Sequence, residues 1–196
     1  MPKVGMQPIR RRQLIEATIA SIHARGLADT TVKQIGQAAS ISPGIIHHYF
    51  GSKDELLVAT MRSLLEELRT HAVAGLAAAT TPRERAEAIL DANFSLAGFE
   101  QPAVTAWLAF WAEVRHEPKL MRLQTINSRR LESNLVHALA QLLPRARARA
   151  VAVGLMALMD GLWLKCALTG GGLDQAEARA ITHDHLDALL AVEKPL

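Results

Sequence analysis

Two helix-start signals stand so close together near the N-terminus that the chain between them can hold only a short helix. Thr31-Val32-Lys33-Gln34 has the form of a capping box, in which the threonine hydroxyl and the glutamine amide satisfy N–H groups that a helix leaves unpaired at its start. A few residues on, Ser42-Pro43 supplies a second N-cap with a first-turn proline. Upstream, about Ile9 to Arg25, Leu14, Ile15, Thr18, Ile19 and Ile22 share one helical face, and Gly26 follows where a left-handed cap belongs. A longer helix followed by two short ones joined at Ser40-Ile41, the last running from Pro43 to about Tyr49, makes a helix-turn-helix. Val32, Ile35 and Ala39 should face inward, with Ile35, Ile41, Ile45 and Phe50 as core of this head.

The rest of the chain reads as helix too, so the fold class is all-α. Alanine and leucine dominate, aromatics are only 4%, and runs of β-branched residues between turn signals are missing. Ser52-Lys53-Asp54-Glu55 opens a long fourth helix reaching about Ala78, and Thr81-Pro82-Arg83-Glu84 opens a fifth. A sixth follows Pro102, with Trp107, Leu108, Trp111 and Val114 at helical spacing; Glu117-Pro118 ends it and starts a seventh, which stops near Pro144. An eighth covers about Arg145 to Leu168, ending at Gly170-Gly171-Gly172, and a ninth about Gln175 to Ala191. The eighth is apolar on more than one face: Val151, Leu155, Leu158 and Leu162 form one stripe, and Val153, Met156, Met159, Trp163 and Ala167 broaden it. Either this helix is central and buried, or a second subunit covers it.

Charge separates the two ends. The chain carries +3 overall, but residues 1–53 hold seven Lys or Arg against two Asp or Glu. We therefore divide it into a basic helix-turn-helix head, 1–53, and a helical body, 54–196, which the family resemblance given below makes the DNA-binding domain and the effector-binding and dimerisation domain. A basic head suits a polyanion, DNA or an acidic membrane surface alike. Arg10, Arg11 and Arg12 stand at a helix N-terminus, where each cation is disfavoured by roughly 0.3–1 kcal/mol unless phosphates lie opposite. Gly44 costs about 1 kcal/mol of helix propensity relative to alanine, yet lets the backbone approach another surface. No run of about 18–20 uninterrupted apolar residues is evident, MPKVGMQPIRRR is no export signal, and the single Cys166 is expected to be a buried, inert thiol. A cytoplasmic protein without a membrane partner is the expectation. No enzyme is expected, and no metal or cofactor: His47-His48 and His183-Asp184-His185 lack the i, i+4 spacing one metal needs, and there is no Gly-rich phosphate loop.

Residues 31–56, read as Thr-Val-x-x-Ile-x-x-x-Ala-x-Ile-Ser-x-Gly-x-Ile-x-x-Tyr-Phe-x-x-Lys-x-x-Leu, resemble the DNA-binding signature of the tetracycline-repressor (TetR) family. Further blocks, MPKVGMQPIRRRQLI at the start, AWLAFWAEVRHEPKL (106–120), SRRLESNLV (128–136) and MDGLWLKCAL (159–168), resemble the choline-responsive regulators of glycine betaine synthesis within it. The resemblance implies that the third helix enters the major groove of double-stranded operator DNA and that the eighth and ninth helices form a homodimer. It implies phosphate anchors at Thr31, Tyr49 and Lys53 and groove contacts at Gly44, His47 and His48. Arg10, Arg11, Arg12, Lys33 and Ser42 complete the expected DNA-binding set. The family's usual residues are tyrosine at position 47, alanine at 36 and glycine at 40, so the resemblance does not carry over the base readout at His47, Ser40 in a left-handed turn is expected to cost about 1 kcal/mol, and Gly36 is expected to loosen the second helix.

The same resemblance implies repression relieved by a small effector, choline or a related quaternary ammonium. Such an ion donates no strong hydrogen bond from its head, so aromatic faces and a carboxylate hold it. Trp107, Phe110, Trp111 and Trp163 are the expected cage, Asp160 the counter-charge, and Asn93 or Asp91 a neighbour of the hydroxyl. Core packing is the competing reading of those aromatics. A TetR-like sensor of another cationic or lipophilic ligand is the alternative function.

Overall fold

The computed structural model describes residues 6–95, 101–168 and 173–191. Phe99 and the Gly170-Gly171-Gly172 stop lie outside the described residues. The described residues form nine helices and no strand: α1 (Met6–Arg25), α2 (Val32–Ala39), α3 (Pro43–Phe50), α4 (Lys53–Ala78), α5 (Pro82–Ala92), α6 (Gln101–Glu113), α7 (Pro118–Leu139), α8 (Arg145–Leu168) and α9 (Gln175–Ala191). Contacts divide the chain into two compact units. One holds residues 1–65 and 101–123; the other holds 66–100 and 124–196. This is a division by packing, whereas the boundary at 53/54 follows the charge of the sequence.

In the first unit α1 packs against both α2 and α6. Leu14 and Ala17 of α1, Ile35 of α2, Ile41, Ile46 and Phe50 of α3 and its approach, and Leu56 of α4 form one buried cluster. Fully burying a side chain of this size contributes about 1.5–3 kcal/mol. The core differs at one position from expectation: Ile46 is buried, while Ile45 is half-buried and packs on the cluster's edge. Ile46 and Phe50 are i, i+4 neighbours, and the inward stripe of so short a helix has room for one such pair.

The turn between α2 and α3 is a Schellman motif. Ser40 is left-handed at φ 54°, ψ 39°, the one positive-φ residue other than glycine among those described. Ile41 N donates to Gly36 O at 2.8 Å, and Ser40 N to Gln37 O at 3.2 Å. Here Gly36 has a different role from the loosening expected of it. A Cβ at this position would lie 2.5 Å from Ile41 O, so glycine is what allows the turn to close back on its own helix.

In the second unit Ala86, Ile89 and Leu90 of α5, Phe94, Leu135, Ala138 and Leu139 of α7, Val151, Leu155, Met159 and Leu162 of α8 and Ala178 and Leu186 of α9 share one core. A Cβ at Gly75 would meet Ala88 Cβ at 3.0 Å, so α4 and α5 touch closely there. By length and mean hydropathy α8 would pass as a membrane span, although Arg149, Asp160 and Lys165 interrupt it and no uninterrupted apolar run of that length exists, as expected. Its inward face, Val151, Ala152, Leu155, Met159, Leu162 and Cys166, is core. Cys166 is buried as expected, its thiol pKa pushed up by desolvation, with Sγ donating to Leu173 O at 3.2 Å.

Opposite effects are expected at the two unusual turn positions. Ser40→Gly should raise stability by about 1 kcal/mol, and Gly36→Ala should lower it by about 1–3 kcal/mol although alanine is the better helix former. Urea titration followed by circular dichroism reads both; a more stable Gly36→Ala protein would show that the Ile41 carbonyl can withdraw freely.

Candidate nucleic-acid interface and effector site

Helix α3 is short enough that its two faces can be assigned residue by residue. Ile46 and Phe50 point into the head core and Ile45 and Tyr49 flank them, which leaves Gly44, His47 and His48 together on the exposed side. The N-terminus of the helix is unusually bare. Ser42 sits at the N-cap in extended conformation but makes no side-chain capping bond, and Pro43 contributes no N–H. No atom lies within 4 Å of where a Gly44 Cβ would stand, so nothing inside the protein requires glycine there. A surface that must come close from outside would.

His47 Nδ1 lies 2.9 Å from Gly51 O. A carbonyl oxygen only accepts, so Nδ1 donates, and in the neutral ring Nε2 is left as an outward acceptor. That tautomer is assigned from the hydrogen bond. The His48 ring stands edge-on to Tyr49 at 5.4 Å between centroids.

The expected phosphate contacts divide into braces and free cations. Arg11 Nη1 donates to Tyr49 O at 2.7 Å and its guanidinium lies 4.3 Å from the Phe50 ring centre, tying α1 to the end of α3. Lys53 Nζ donates to Leu27 O at 3.3 Å, spending one of three donors and leaving the others. Thr31 is engaged in its capping box: Gln34 N donates to its hydroxyl at 3.3 Å, while Thr31 N donates to Gln34 Oε1 at 2.8 Å. Arg12 pairs with Glu16 at 2.7 Å on an exposed surface, a contact worth little. Arg10 is half-buried and Lys33 exposed. Sequence reasoning missed two further links of this unit. His23 Nδ1 meets Thr105 Oγ1 at 2.9 Å, joining α1 to α6, and Lys119 at the start of α7 pairs with Glu55 at the start of α4. That hydrogen bond, with the accompanying charge attraction, pulls the Glu55 pKa down and the Lys119 pKa up.

The six expected effector residues are distributed over both units. In the first, Trp107 and Phe110 are buried and Trp111 half-buried on α6, the two indoles 6.4 Å apart and tilted by 55°. In the second, Trp163 Nε1 donates to Asn93 O at 3.0 Å, and Asn93 Nδ2 donates to Ile89 O at 2.9 Å. Asn93 thus closes α5 and fixes one indole. Met156, Asp160 and Trp163 lie on one flank of α8. Asp160 itself is exposed, but the protein bulk around its carboxyl raises its pKa by desolvation, and no compensating charge lowers it.

Asp91 is committed elsewhere. Its carboxylate takes two bonds from Arg179, at 3.0 and 2.6 Å, and a third from His183 Nε2 at 2.7 Å. Arg179 and His183 stand at i, i+4 on α9, and the partner they share is far away in sequence. An open groove of about 670 Å³ runs beside this network, lined by His71, Gly75, Glu87, Asp91, Phe94 and Arg179 among others rather than by Asn93, Asp160 or Trp163. Across α8 from its core face, Val153, Gly154, Ala157, Gly161 and Leu164 are exposed, Val153 by 51%, and Ile181 of α9 is exposed by 41%.

Comparison with known proteins now decides the lineage. Residues 14–60 match the model for bacterial regulatory proteins of the tetR family, and residues 82–191 match the C-terminal domain of BetI-type transcriptional repressors. The chain belongs to the TetR family, with a BetI-type C-terminal domain. It is 52% identical over 196 residues to the HTH-type transcriptional regulator BetI 2 of Chromohalobacter salexigens, covering 97% of this chain and 93% of that one. With BetI of Burkholderia lata it shares 51% over 194 residues, 97% and 99% of the two chains. Solved structures agree on the fold: a transcriptional regulator from Pseudomonas aeruginosa has a TM-score of 0.76 at 28% identity, covering 94% and 91%. A regulator from Saccharomonospora viridis, in complex with choline, has a TM-score of 0.79 at 22% identity, covering 92% and 96%. The chain is therefore a transcriptional repressor of BetI type and not an enzyme. TetR-family regulators bind operator DNA and act as dimers.

The open space at Gly44 separates fold from function. Gly44→Ala should leave the protein as stable as before, or stabilise it by up to about 1 kcal/mol, while weakening operator binding at least tenfold. Thermal melting and fluorescence anisotropy check the two halves; undiminished DNA affinity would remove Gly44 from the interface.

Proposed function

We propose that this repressor controls genes of choline uptake and glycine betaine synthesis and that choline relieves it. The single observation behind the reading is half-identity over nearly the whole chain to regulators named BetI, and a more distant relative of the same fold that holds choline supports it. The effector end has suitable chemistry. A carboxylate with a raised pKa, such as Asp160, is poorly solvated when ionised and gains from a permanent cation placed beside it. A quaternary ammonium supplies that charge without needing hydrogen-bond acceptors, and the faces of Trp107, Trp111 and Trp163 are the candidate surfaces for it.

At the DNA end α3 enters the major groove, with Gly44, His47 and His48 toward base edges and Arg10, Lys33, Ser42 and Lys53 toward phosphates. Phosphate contacts set affinity and its salt dependence, whereas base-edge contacts choose sequence. The homodimer forms through α8 and α9, whose exposed Val153, Leu164 and Ile181 and close-approach residues Gly154, Ala157 and Gly161 suit a helical bundle. A cytoplasmic location goes with this role.

Anisotropy titration on DNA from upstream of the protein's own gene tests the reading. Tight binding that falls steeply with salt and weakens in millimolar choline, but not in a bulky cationic dye, is the expected result. Tight binding indifferent to choline would overturn the effector assignment, and a broad response to lipophilic cations would favour a multidrug-type sensor.

A further inference from the structure

One buried polar atom in the second unit has no partner. Gln124 Oε1 is shielded from solvent and accepts no hydrogen bond, the one such side-chain atom found among the described residues. The other end of the same amide is occupied, since Nε2 donates weakly to Ser128 Oγ at 3.4 Å, one turn along α7. Buried acceptors are satisfied in the great majority of cases, because leaving one unpaired forfeits its hydration without return. An amide held by one end with its oxygen left over is equipped to accept from something that arrives.

The position of Gln124 is defined by two observations within this unit. It lies on the inward stripe of α7, at helical spacing from Leu131, Leu135 and Ala138, which join the core with Leu155, Met159 and Leu162 of α8. It stands about two turns beyond Leu131, where the tightly packed part of that core ends. The short connection between α7 and α8 makes them antiparallel, and the Glu132–Arg149 pair at 3.0 Å sets their register. Counting equally from that pair brings Gln124 level with Ala157; at 1.5 Å per residue Asp160 lies about 5 Å and Trp163 about 9 Å further along α8. The orphan acceptor thus falls at the height of the flank that carries a desolvated carboxylate and an indole fixed by Asn93.

We propose that Gln124 is the specificity residue that accepts the hydroxyl of an alcohol-bearing quaternary ammonium ligand; this rests on the choline reading above. The hydroxyl is the only strong donor such a ligand has, and Gln124 offers an acceptor that nothing in the protein uses. An O-methylated, aldehyde or carboxylate analogue has no donor to give, so the same group discriminates the alcohol from its oxidised or capped relatives. The residue's vacant capacity costs the free protein stability, which is the mark of a group kept for a ligand.

Calorimetric titration of the full-length protein with choline and with its methyl ether tests this, using wild type and Gln124→Met, which preserves side-chain length. Wild type should prefer choline by roughly five- to tenfold. Gln124→Met should bind both alike, with ether affinity unchanged and a melting temperature no lower than wild type. Gln124→Glu, which keeps an acceptor, should retain the preference and so covers the case in which the methionine variant folds poorly. An undiminished choline-to-ether ratio in Gln124→Met overturns the proposal, as does a wild type that binds both equally well. A wild type that binds neither overturns the choline reading together with it.

Discussion

Presentation of α3 depends on one close backbone contact. Ile41 N reaches back to Gly36 O at 2.8 Å, and its own carbonyl stands where a Gly36 side chain would be. That contact turns the chain through a left-handed serine and fixes the direction in which α3 leaves. Once the direction is fixed, Ile46 and Phe50 must face inward, and Gly44, His47 and His48 are left outside. Affinity for a groove depends on a few side chains held in register. Here register is carried by backbone bonds and a compact apolar cluster.

Cations of the head do two kinds of work. Arg11 and Lys53 brace helices through backbone carbonyls of Tyr49 and Leu27, which counters the unfavourable placement of positive charge at helix starts by giving it local acceptors. Arg10 and Lys33, half-buried and exposed, are the cations proposed above to face phosphates. Because Arg11 also lies on the Phe50 ring, it stiffens the recognition helix at its far end. The same unit contains α6 with Trp107 and Phe110 in its core, and His23–Thr105 joins that helix to α1. An effector that moved α6 would therefore act on the packing of the head's longest helix. Ligand contacts shift such an equilibrium only if they differ between the two states.

Helix starts and stops were legible because they are local chemistry. Thr31 and Thr81 cap as their sequences require, and Gly26 closes α1, whereas the left-handed turn at Ser40 was legible only through the family's glycine there. The exposed side of α3 was legible only in part: Gly44, His47 and His48 came from the family resemblance, and spacing in so short a helix had put Ile45 in the core where the structure buries Ile46. Contacts between distant segments were not legible. Nothing near Asp91 announces Arg179 and His183, and nothing near Arg11 announces Tyr49, because such pairs exist only once the helices have docked. Gly36 was misjudged through propensity: the decisive quantity was the space before Ile41 O, which no local scale contains. Gln124 drew no notice in a sequence where glutamine is commonplace; only burial without a partner distinguishes it.

A repressor relieved by its effector must obey reciprocity, because both ligands act on one equilibrium. The most direct test is the dissociation constant of choline measured on the free protein and again on the protein saturated with operator DNA. The account predicts weaker choline binding on the complex, by the same factor by which choline weakens operator binding. Equal choline affinity in the two forms would contradict it, since a ligand that binds both states alike cannot drive release.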